Sequence, residues 1–373
     1  LLKAFERTLK SVPFILLRPL FGKGDQNPPA DFRPSRILVI RQHNQLGDML
    51  CVVPLLRALR ARYGKASIAL MTSPVNHEVM LHNRYLNRII DYDKRMFLGT
   101  WGLKLGPLFR YLRALRDERY DLVLVPSTVS FSATSSLLAF LSGAPQRIGV
   151  GSIDGLENTS ALFLTMRLRI DWTTEPHRHQ TLRNLDVASP LGLSSSDLHC
   201  ELTLTEGERS DALRFLRENS TGTPRILFHP GAGKRPNRWP PERFANVANV
   251  LGSGRNAEIF VTQGPMDEEP VGEMARQLNV RFTLIAGRPI REVAAILSYM
   301  DLVISNDTGV MHVAAAVGVP VLSLFGPTDP LQWAPVGEKH RFLHRGDDIR
   351  TISVEDVVGN AREMLGQSGR SKQ

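Results

Sequence analysis

Asp301-Leu302-Val303-Ile304-Ser305-Asn306-Asp307-Thr308-Gly309-Val310-Met311-His312-Val313-Ala314-Ala315-Ala316 decides the fold. Leu302 to Ser305 reads as a short buried strand that stops in consecutive polar residues. An alanine-rich helix, about residues 308–317, begins at once. A strand that feeds straight into a helix is the repeating step of a doubly wound α/β sheet, and such sheets bind ligands beyond the carboxyl ends of their strands. The first amides of this helix, from Thr308, Gly309 and Val310, lack intrahelical acceptors. A phosphate there gains their hydrogen bonds and the helix dipole. Asp307 adds a carboxylate able to accept hydrogen bonds from sugar hydroxyls. An N-cap by Asp307 or Thr308 explains one polar residue but not the run from Ser305 to Thr308.

The same alternation runs outward in both directions. Strands are predicted over 36–40, 67–71, 88–91 and 121–125, then over 225–228, 258–261, 281–285, 302–305 and 319–324. Helices fall between them, at about 48–62, 103–117, 241–251, 267–277, 290–298 and 308–317. Apolar runs of this length between amphipathic helices indicate parallel sheets covered on both faces. The expected organisation is an N-terminal basic amphipathic extension and linker (1–35), two Rossmann-like domains (36–185 and 186–345), and a C-terminal helix and tail (346–373).

Two more strand ends carry polar loops. After the first strand comes Arg41-Gln42-His43-Asn44-Gln45-Leu46-Gly47-Asp48. Gly47 lets backbone approach a ligand closely, and Asp48 lies in the first turn of the following helix. A carboxylate there serves either as a general base toward a substrate hydroxyl or as a helix cap, and the spacing leaves both readings open. After the strand at 225–228, His229-Pro230-Gly231-Ala232-Gly233-Lys234-Arg235-Pro236-Asn237-Arg238-Trp239-Pro240 sets two glycines and three cations before a helix. Exposed amides at Gly231 with Lys234 and Arg238 suit a diphosphate. His229, with no companion at metal spacing, reads as structural. The chain contains neither G-x-G-x-x-G nor a P-loop, which counts against a dehydrogenase or an NTPase.

Composition sets the bounds. With 373 residues, 42% of them hydrophobic and 22% charged, two globular domains are expected. Two distant cysteines, Cys51 and Cys200, argue against a disulfide framework or a zinc site and suit a reducing cytosol. No apolar run approaches the ~20 residues that span a bilayer. Residues 1–120 hold 21 Lys/Arg against 9 Asp/Glu, so the first third carries a net +12 while the remainder is −3. That asymmetry implies an anionic partner for the first domain. The extension adds Leu2, Phe5, Leu9, Val12, Leu16 and Leu20 at three- and four-residue steps beside Lys3, Arg7, Lys10 and Arg18. Such a stripe suits an anionic membrane surface or docking on the protein itself. No recognition helix or aromatic stacking pattern accompanies the charge, so nucleic acid is not the expected partner.

Taken together, Ile40-Arg41-x4-Leu46-Gly47-Asp48 with Pro54, His229-Pro230-Gly231-Ala232, Trp239-Pro240-x2-Arg243-Phe244-Ala245, Ser305-Asn306-Asp307-Thr308-Gly309-x-Met311-His312 and Gly318-Val319-Pro320 through Phe325-Gly326-Pro327-Thr328-Asp329-Pro330 resemble glycosyltransferase family 9, the ADP-heptose:lipopolysaccharide heptosyltransferases. The resemblance spans roughly residues 36–340, in order. It implies a GT-B fold, two Rossmann-like doubly wound domains facing a central cleft, with the acceptor held mainly by the first domain and the sugar nucleotide by the second. It also implies an inverting, metal-independent transfer of heptose from ADP-heptose to an acidic, lipid-linked inner-core or related envelope glycan, with no cofactor. A cytoplasmic enzyme in peripheral contact with the inner membrane follows from that activity.

Carried over residue by residue, Asp48 matches the family's general base and Asp307 the acid that contacts the donor heptose. Thr308, Gly309 and His312 match residues around the diphosphate. Gln263-Gly264-Pro265-Met266-Asp267-Glu268-Glu269 resembles the segment with a glutamate near the nucleoside, assigned to Glu269. Pro145-Gln146-Arg147-Ile148-Gly149 resembles an acceptor-domain stretch, which makes Arg147 an acceptor contact. The chain departs from the family at Asn237, where a lysine facing the donor phosphate is common, and at Asn44-Gln45, where the loop is often serine-rich. Two rival readings remain at this point: a family-9-like transferase using another nucleotide sugar, and a non-catalytic nucleotide-sugar-binding protein of the same fold.

Overall fold

The computed structural model describes residues 25–29, 31–42, 45–99, 102–255 and 257–370. Most of the basic amphipathic extension therefore lies outside the described residues. The chain forms two compact units. Of the described residues, the first holds those up to 42 with 51–77 and 83–198; the second holds 45–50, 78–82 and those from 199 to 370.

The first unit is built on one sheet. Its strands are β1 (Arg36–Ile40), β2 (Ser67–Thr72), β3 (Arg88–Asp91), β6 (Leu122–Val125), β7 (Gln146–Ile153), β8 (Leu156–Glu157) and β9 (Met166–Ile170), with β4 (Leu98–Gly99) and β5 (Gly102–Leu103) forming a separate hairpin. The order is β3-β2-β1-β6-β7-β8, with β9 also paired to β7. All pairings are parallel except β7 with β8. Leu38, Ile40, Ala69, Met71, Val123 and Val125 point into one buried layer, as side chains two apart on parallel strands must. The sheet was expected to have four strands here. β7, β8 and β9 add to it; β7 and β9 were hidden by glycines or by alternating arginines. Gly149 has a packing reason: a β-carbon there lies 2.9 Å from Leu164 and 3.2 Å from Val125.

The second unit is wound in the same way. β10 (Arg225–His229), β11 (Glu258–Gln263), β12 (Phe282–Ala286), β13 (Leu302–Asn306), β14 (Val321–Phe325) and β15 (Arg341–His344) run in the order β12-β11-β10-β13-β14-β15. Every pair is parallel. The direction of winding reverses between β10 and β13, which makes the carboxyl ends of those two strands the switch point where a crevice opens. On one face, Ile226, Phe228, Ile304 and Leu322 pack with Trp239 and Phe244. The helix Val354–Arg370 supplies Val357, Ala361 and Met364 to that core, so the C-terminal helix expected as a separate tail is part of the second unit.

The division falls at Leu198/His199, later than the expected 185/186. The helix Gln180–Asp186 stays with the first unit because Asn184 Nδ2 donates to the Cys51 carbonyl, 3.1 Å, and Asp186 accepts from Trp172 Nε1, 2.9 Å. The helix predicted over 48–62 is two helices, Leu46–Leu50 and Val53–Arg62. The break lies just before Pro54, whose missing N–H is tolerated only in a first turn. The short helix belongs to the second unit, with the segment Glu78–His82. Among the described residues no helix is long and apolar enough to cross a membrane.

Arg291, 7% exposed, ties the second unit together. Its guanidinium donates to both carboxylate oxygens of Glu208 (2.5 and 2.8 Å) and to the carbonyls of Thr203 and Glu78, each at 2.8 Å. Glu208 closes a capping box with Thr205 at the start of the helix Glu206–Asn219. The hydrogen bonds from Arg291, helped against burial by those from Thr205 and by the Arg291 charge, push the Glu208 carboxyl down to about 2 from 4.5. The stability this group contributes is thus fully present above about 4.5 and is lost as pH falls toward about 2. Replacing Arg291→Ala leaves a carboxylate and several carbonyls unpaired, and a loss of about 3 kcal/mol is expected in urea unfolding at pH 7. The deficit should shrink as the solution is acidified through that window.

Candidate active site

The functional loops of the second unit converge on one sheet edge because the register brings their strand ends level. His229 pairs with Ser305, and Asn306 with Leu324. Beyond these positions lie the loop 230–240, the turn 307–309 and the turn 326–329.

Asn306 holds the first two together. Fully buried, it donates through Nδ2 to the carbonyls of Pro230 (3.0 Å) and Gly231 (3.1 Å), while its Oδ1 accepts from the Trp239 amide (3.0 Å). Trp239 is itself sealed, with Nε1 donating to the Ile352 carbonyl and its ring edge-on to Phe244. The polar run is thereby divided by role. Ser305 bonds within the turn, to the Asn306 carbonyl and to Thr308. Asn306 is structural, and Thr308 caps the helix Gly309–Ala316.

Asp307 faces the other way. Its carboxylate accepts from Asn237 Nδ2 at 3.1 Å, and the same amide donates to Thr328 Oγ1 at 2.9 Å. Burial raises the Asp307 carboxyl above its ordinary range, opposed by Thr328, the nearby Lys234 charge and Asn237. Asn237, the departure from the family pattern, thus sits against Asp307 and supplies hydrogen bonds without charge.

The cations line the opposite bank of the loop. Arg238 pairs with Glu269 (3.1 Å) and donates to the Ala232 carbonyl (3.3 Å). Its Nε is buried with no acceptor among the described residues. Arg235 reaches Glu269 at 3.8 Å, and Lys234 is exposed. Glu269 opens the helix Glu268–Gln277 and is more than half exposed.

Sequence reasoning passed over Asp267, one of the most enclosed acids here. It accepts from the Gly264 amide at 2.9 Å and lies 3.8 Å from His229 Nε2. A β-carbon on Gly231 would run into its carboxylate. Gly231 is thus required by close packing as well as by any ligand. Burial drives the His229 imidazole toward its neutral form against the pull of Asp267.

The short helix Leu46–Leu50 packs on Gly309–Ala316 through its glycine. A β-carbon on Gly47 would overlap the His312 ring, and one on Gly309 would lie 3.1 Å from Leu46. His312 is buried, with its ring edge against Trp333. Asp48, 2% exposed, is carried by that helix. The second unit thus brings together Gly47, Asp48, Gly231, Lys234, Arg238, Glu269, Asp307, Thr308, Gly309 and His312.

Arg147 is not part of this edge. It lies in the first unit, second residue of β7, level with Val123 near the amino end of β6. Its guanidinium donates to the carbonyls of Phe163 (2.8 Å) and Ala144 (2.5 Å) and stacks over Phe140. These bonds hold the side chain against its own unit, apart from the edge where the other expected residues gather. The first unit offers instead a cavity of about 510 Å³ at the carboxyl ends of its strands. Gln42 follows β1, Ser73 follows β2, Tyr92 and Lys94 follow β3, and Ser132 follows β6 around it. Hydroxyls and a cation at the edge that binds ligands were a signal available in the sequence. Among the described residues no group of three His, Cys, Asp or Glu side chains is arranged to hold a metal ion.

Because three hydrogen bonds converge on Asn306, Asn306→Ala should cost about 3 kcal/mol in urea unfolding and loosen the loop 230–240. Protection of the Trp239 amide in hydrogen exchange should fall with it.

The profile of glycosyltransferase family 9 (heptosyltransferase) matches residues 108–352, more than half of the chain. Lipopolysaccharide heptosyltransferase 2 of Escherichia coli (strain K12) is 29% identical over 88% of this chain and 94% of its own length. Lipopolysaccharide heptosyltransferase 3 of the same organism is 24% identical over 87% and 97%. Among solved structures, a family 9 glycosyl transferase from Veillonella parvula DSM 2008 superposes with a TM-score of 0.78 at 25% identity, covering 89% of this chain and 98% of that one. The structure of E. coli ADP-heptose LPS heptosyltransferase II gives 0.72 at 24% identity, over 90% and 99%. These likenesses fit the two parallel-sheet units to the GT-B fold. With the family profile they lead to one conclusion: the chain belongs to glycosyltransferase family 9, and it is a glycosyltransferase.

Proposed function

We propose that the protein transfers heptose from ADP-heptose to an acidic lipid-linked acceptor of the lipopolysaccharide inner core or a related envelope glycan. The observation that carries this reading is the set of donors and cations at the β10/β13 reversal: the open helix N-terminus at Thr308–Val310, the buried Arg238 Nε, Lys234, and the Asn237–Asp307–Thr328 cluster. Amides and guanidinium suit a diphosphate, and a hydrogen-bonded carboxylate suits sugar hydroxyls.

The transfer is an in-line displacement with inversion at the anomeric carbon. Asp48 takes the proton of the acceptor hydroxyl as its oxygen bonds to that carbon, and the bond to the diphosphate oxygen breaks. The nucleoside diphosphate leaves with the electron pair, its new charge met by the helix amides and by Lys234 and Arg238. These fixed cations do the work a metal would otherwise do, so turnover is expected to persist in a chelator. Glu269 is the contact toward the nucleoside. The acceptor enters the first unit's cavity, where Lys94 and Ser132 meet its acidic sugars. The protein works on the cytoplasmic face of the inner membrane, in peripheral contact with it.

Asn237 favours one variation, a donor other than ADP-heptose, because an uncharged amide beside Asp307 changes what that pocket holds. Calorimetric titration with ADP, UDP, GDP and ADP-heptose, with and without magnesium, separates the readings. Metal-independent preference for ADP and ADP-heptose supports the proposal. Preference for another nucleotide discards heptose, and no binding at all favours a non-catalytic protein.

Two variants test the assignments. Asp48→Ala should lower kcat by roughly 10³-fold or more while ADP affinity stays within about twofold; near-normal kcat would remove Asp48 as the base. Asn237→Lys adds a cation beside Asp307 and should tighten ADP binding by about 5- to 10-fold; unchanged affinity would show that this position does not meet the phosphates.

A further inference from the structure

From Lys94 to Arg116 the chain has six Lys/Arg and no Asp or Glu. This stretch comprises the turn Lys94–Phe97, the β4–β5 hairpin and nearly all of the helix Leu105–Asp117. The Lys104 amide donates to the Phe97 carbonyl at 2.7 Å, which sets the turn beside the start of the helix. Phe97, Tyr92 and Tyr111 pack against one another with ring centroids 5.3–5.9 Å apart, Tyr111 edge to face with the other two. Together with Leu112 and Leu115 they fasten the inner face of the helix to the first unit's core.

Among the described residues the outer face has no such cover. Leu105 is 70% exposed, Phe109 one turn later 68%, and Met96 54%. Single exposed apolar residues are ordinary, but three large ones on adjoining elements call for a partner. Lys94, Lys104 and Arg110 are exposed beside them, and no carboxylate pairs with these three among the described residues. Cations with long stems around an apolar centre match an interface in which apolar tips enter the acyl boundary and the charges meet phosphates. An acid-free run of this length also repels a basic partner.

We propose that this face, Met96, Leu105 and Phe109 ringed by Lys94, Lys104 and Arg110, docks the protein on an anionic lipid bilayer. The inference deepens the peripheral-membrane part of the proposed function and places the contact on the first unit's helix rather than on the extension. Lys94 also lines the 510 Å³ cavity, so a lipid-borne acceptor would be met beside the surface that carries it.

The test is co-sedimentation of the full chain with phosphatidylcholine vesicles containing 30% phosphatidylglycerol, against vesicles of phosphatidylcholine alone. The protein should partition onto the anionic vesicles, and Leu105→Ser with Phe109→Ser should reduce that partitioning at least 10-fold. Lys104→Glu with Arg110→Glu should weaken it comparably, and 0.5 M salt should weaken the parent. ADP affinity, measured by calorimetry on the same samples, should stay unchanged in both variants, which shows that the fold is intact. Partitioning of the Leu105/Phe109 variant equal to the parent's would overturn the proposal and leave the extension as the membrane contact. A parent that ignores anionic vesicles but self-associates through this face would overturn it in favour of a second copy. If ADP does not bind the parent either, the ADP-heptose reading fails while the vesicle result still decides the docking.

Discussion

The Asn306 side chain is the constraint on which the second unit's chemistry rests. One buried amide satisfies two carbonyls and one N–H of a loop some seventy residues earlier in the chain, and so fixes the end of β13 against the loop that follows β10. These are the two strands between which the winding reverses. An irregular loop at such a place must have its backbone groups paired, because each one left buried and unmet costs about as much as a strong hydrogen bond contributes. With that pairing made, the neighbouring residues are released for other work: Asp307 toward Asn237 and Thr328, and Thr308 as the cap of the helix Gly309–Ala316.

The electrostatics follow from this anchoring. Acids and cations alternate around the sheet edge: Asp307 near Lys234, Glu269 between Arg235 and Arg238, Asp267 behind Gly231. Among the described residues, neither Arg235 nor Arg238 is locked by more than the one carboxylate of Glu269. Asp307 is burdened by burial and held by the neutral donor Asn237 rather than committed to a salt bridge. The first unit shows the complementary arrangement, a roomy cavity with hydroxyls at its rim and an acid-free basic segment beside it.

Much of this was legible in the sequence, for physical reasons. Buried parallel strands are continuous apolar runs, so β1, β2, β10, β11, β13 and β14 stand out, while β9 (Met-Arg-Leu-Arg-Ile) and β15 (Arg-Phe-Leu-His) lie toward sheet edges and read as polar. The loops 41–48, 229–240 and 305–309 were recognisable because small and charged residues cluster after strands. What the sequence hid were relations in space. That Asn306, not Asp307, is the structural member of the run depends on Pro230, Gly231 and Trp239. That Asp48 travels with the second unit depends on Gly47 fitting against His312. Arg147 was singled out by resemblance alone, and its bonds to the Phe163 and Ala144 carbonyls could not be read from that.

Asp267 has a consequence for how this sequence can drift. Its carboxylate occupies the space of a β-carbon at Gly231 and crowds the one at Gly264, at 2.7 Å. Two glycines thirty-three positions apart are therefore hostage to a third residue, and neither can gain a side chain while the acid remains. Loss of the acid would have to come first, yet it would strip the Gly264 amide of its acceptor and His229 of its neighbouring charge. Each first step is harmful until the others are taken. Mutational paths through these positions are thus strongly non-additive, and the trio is expected to be inherited or replaced as a block.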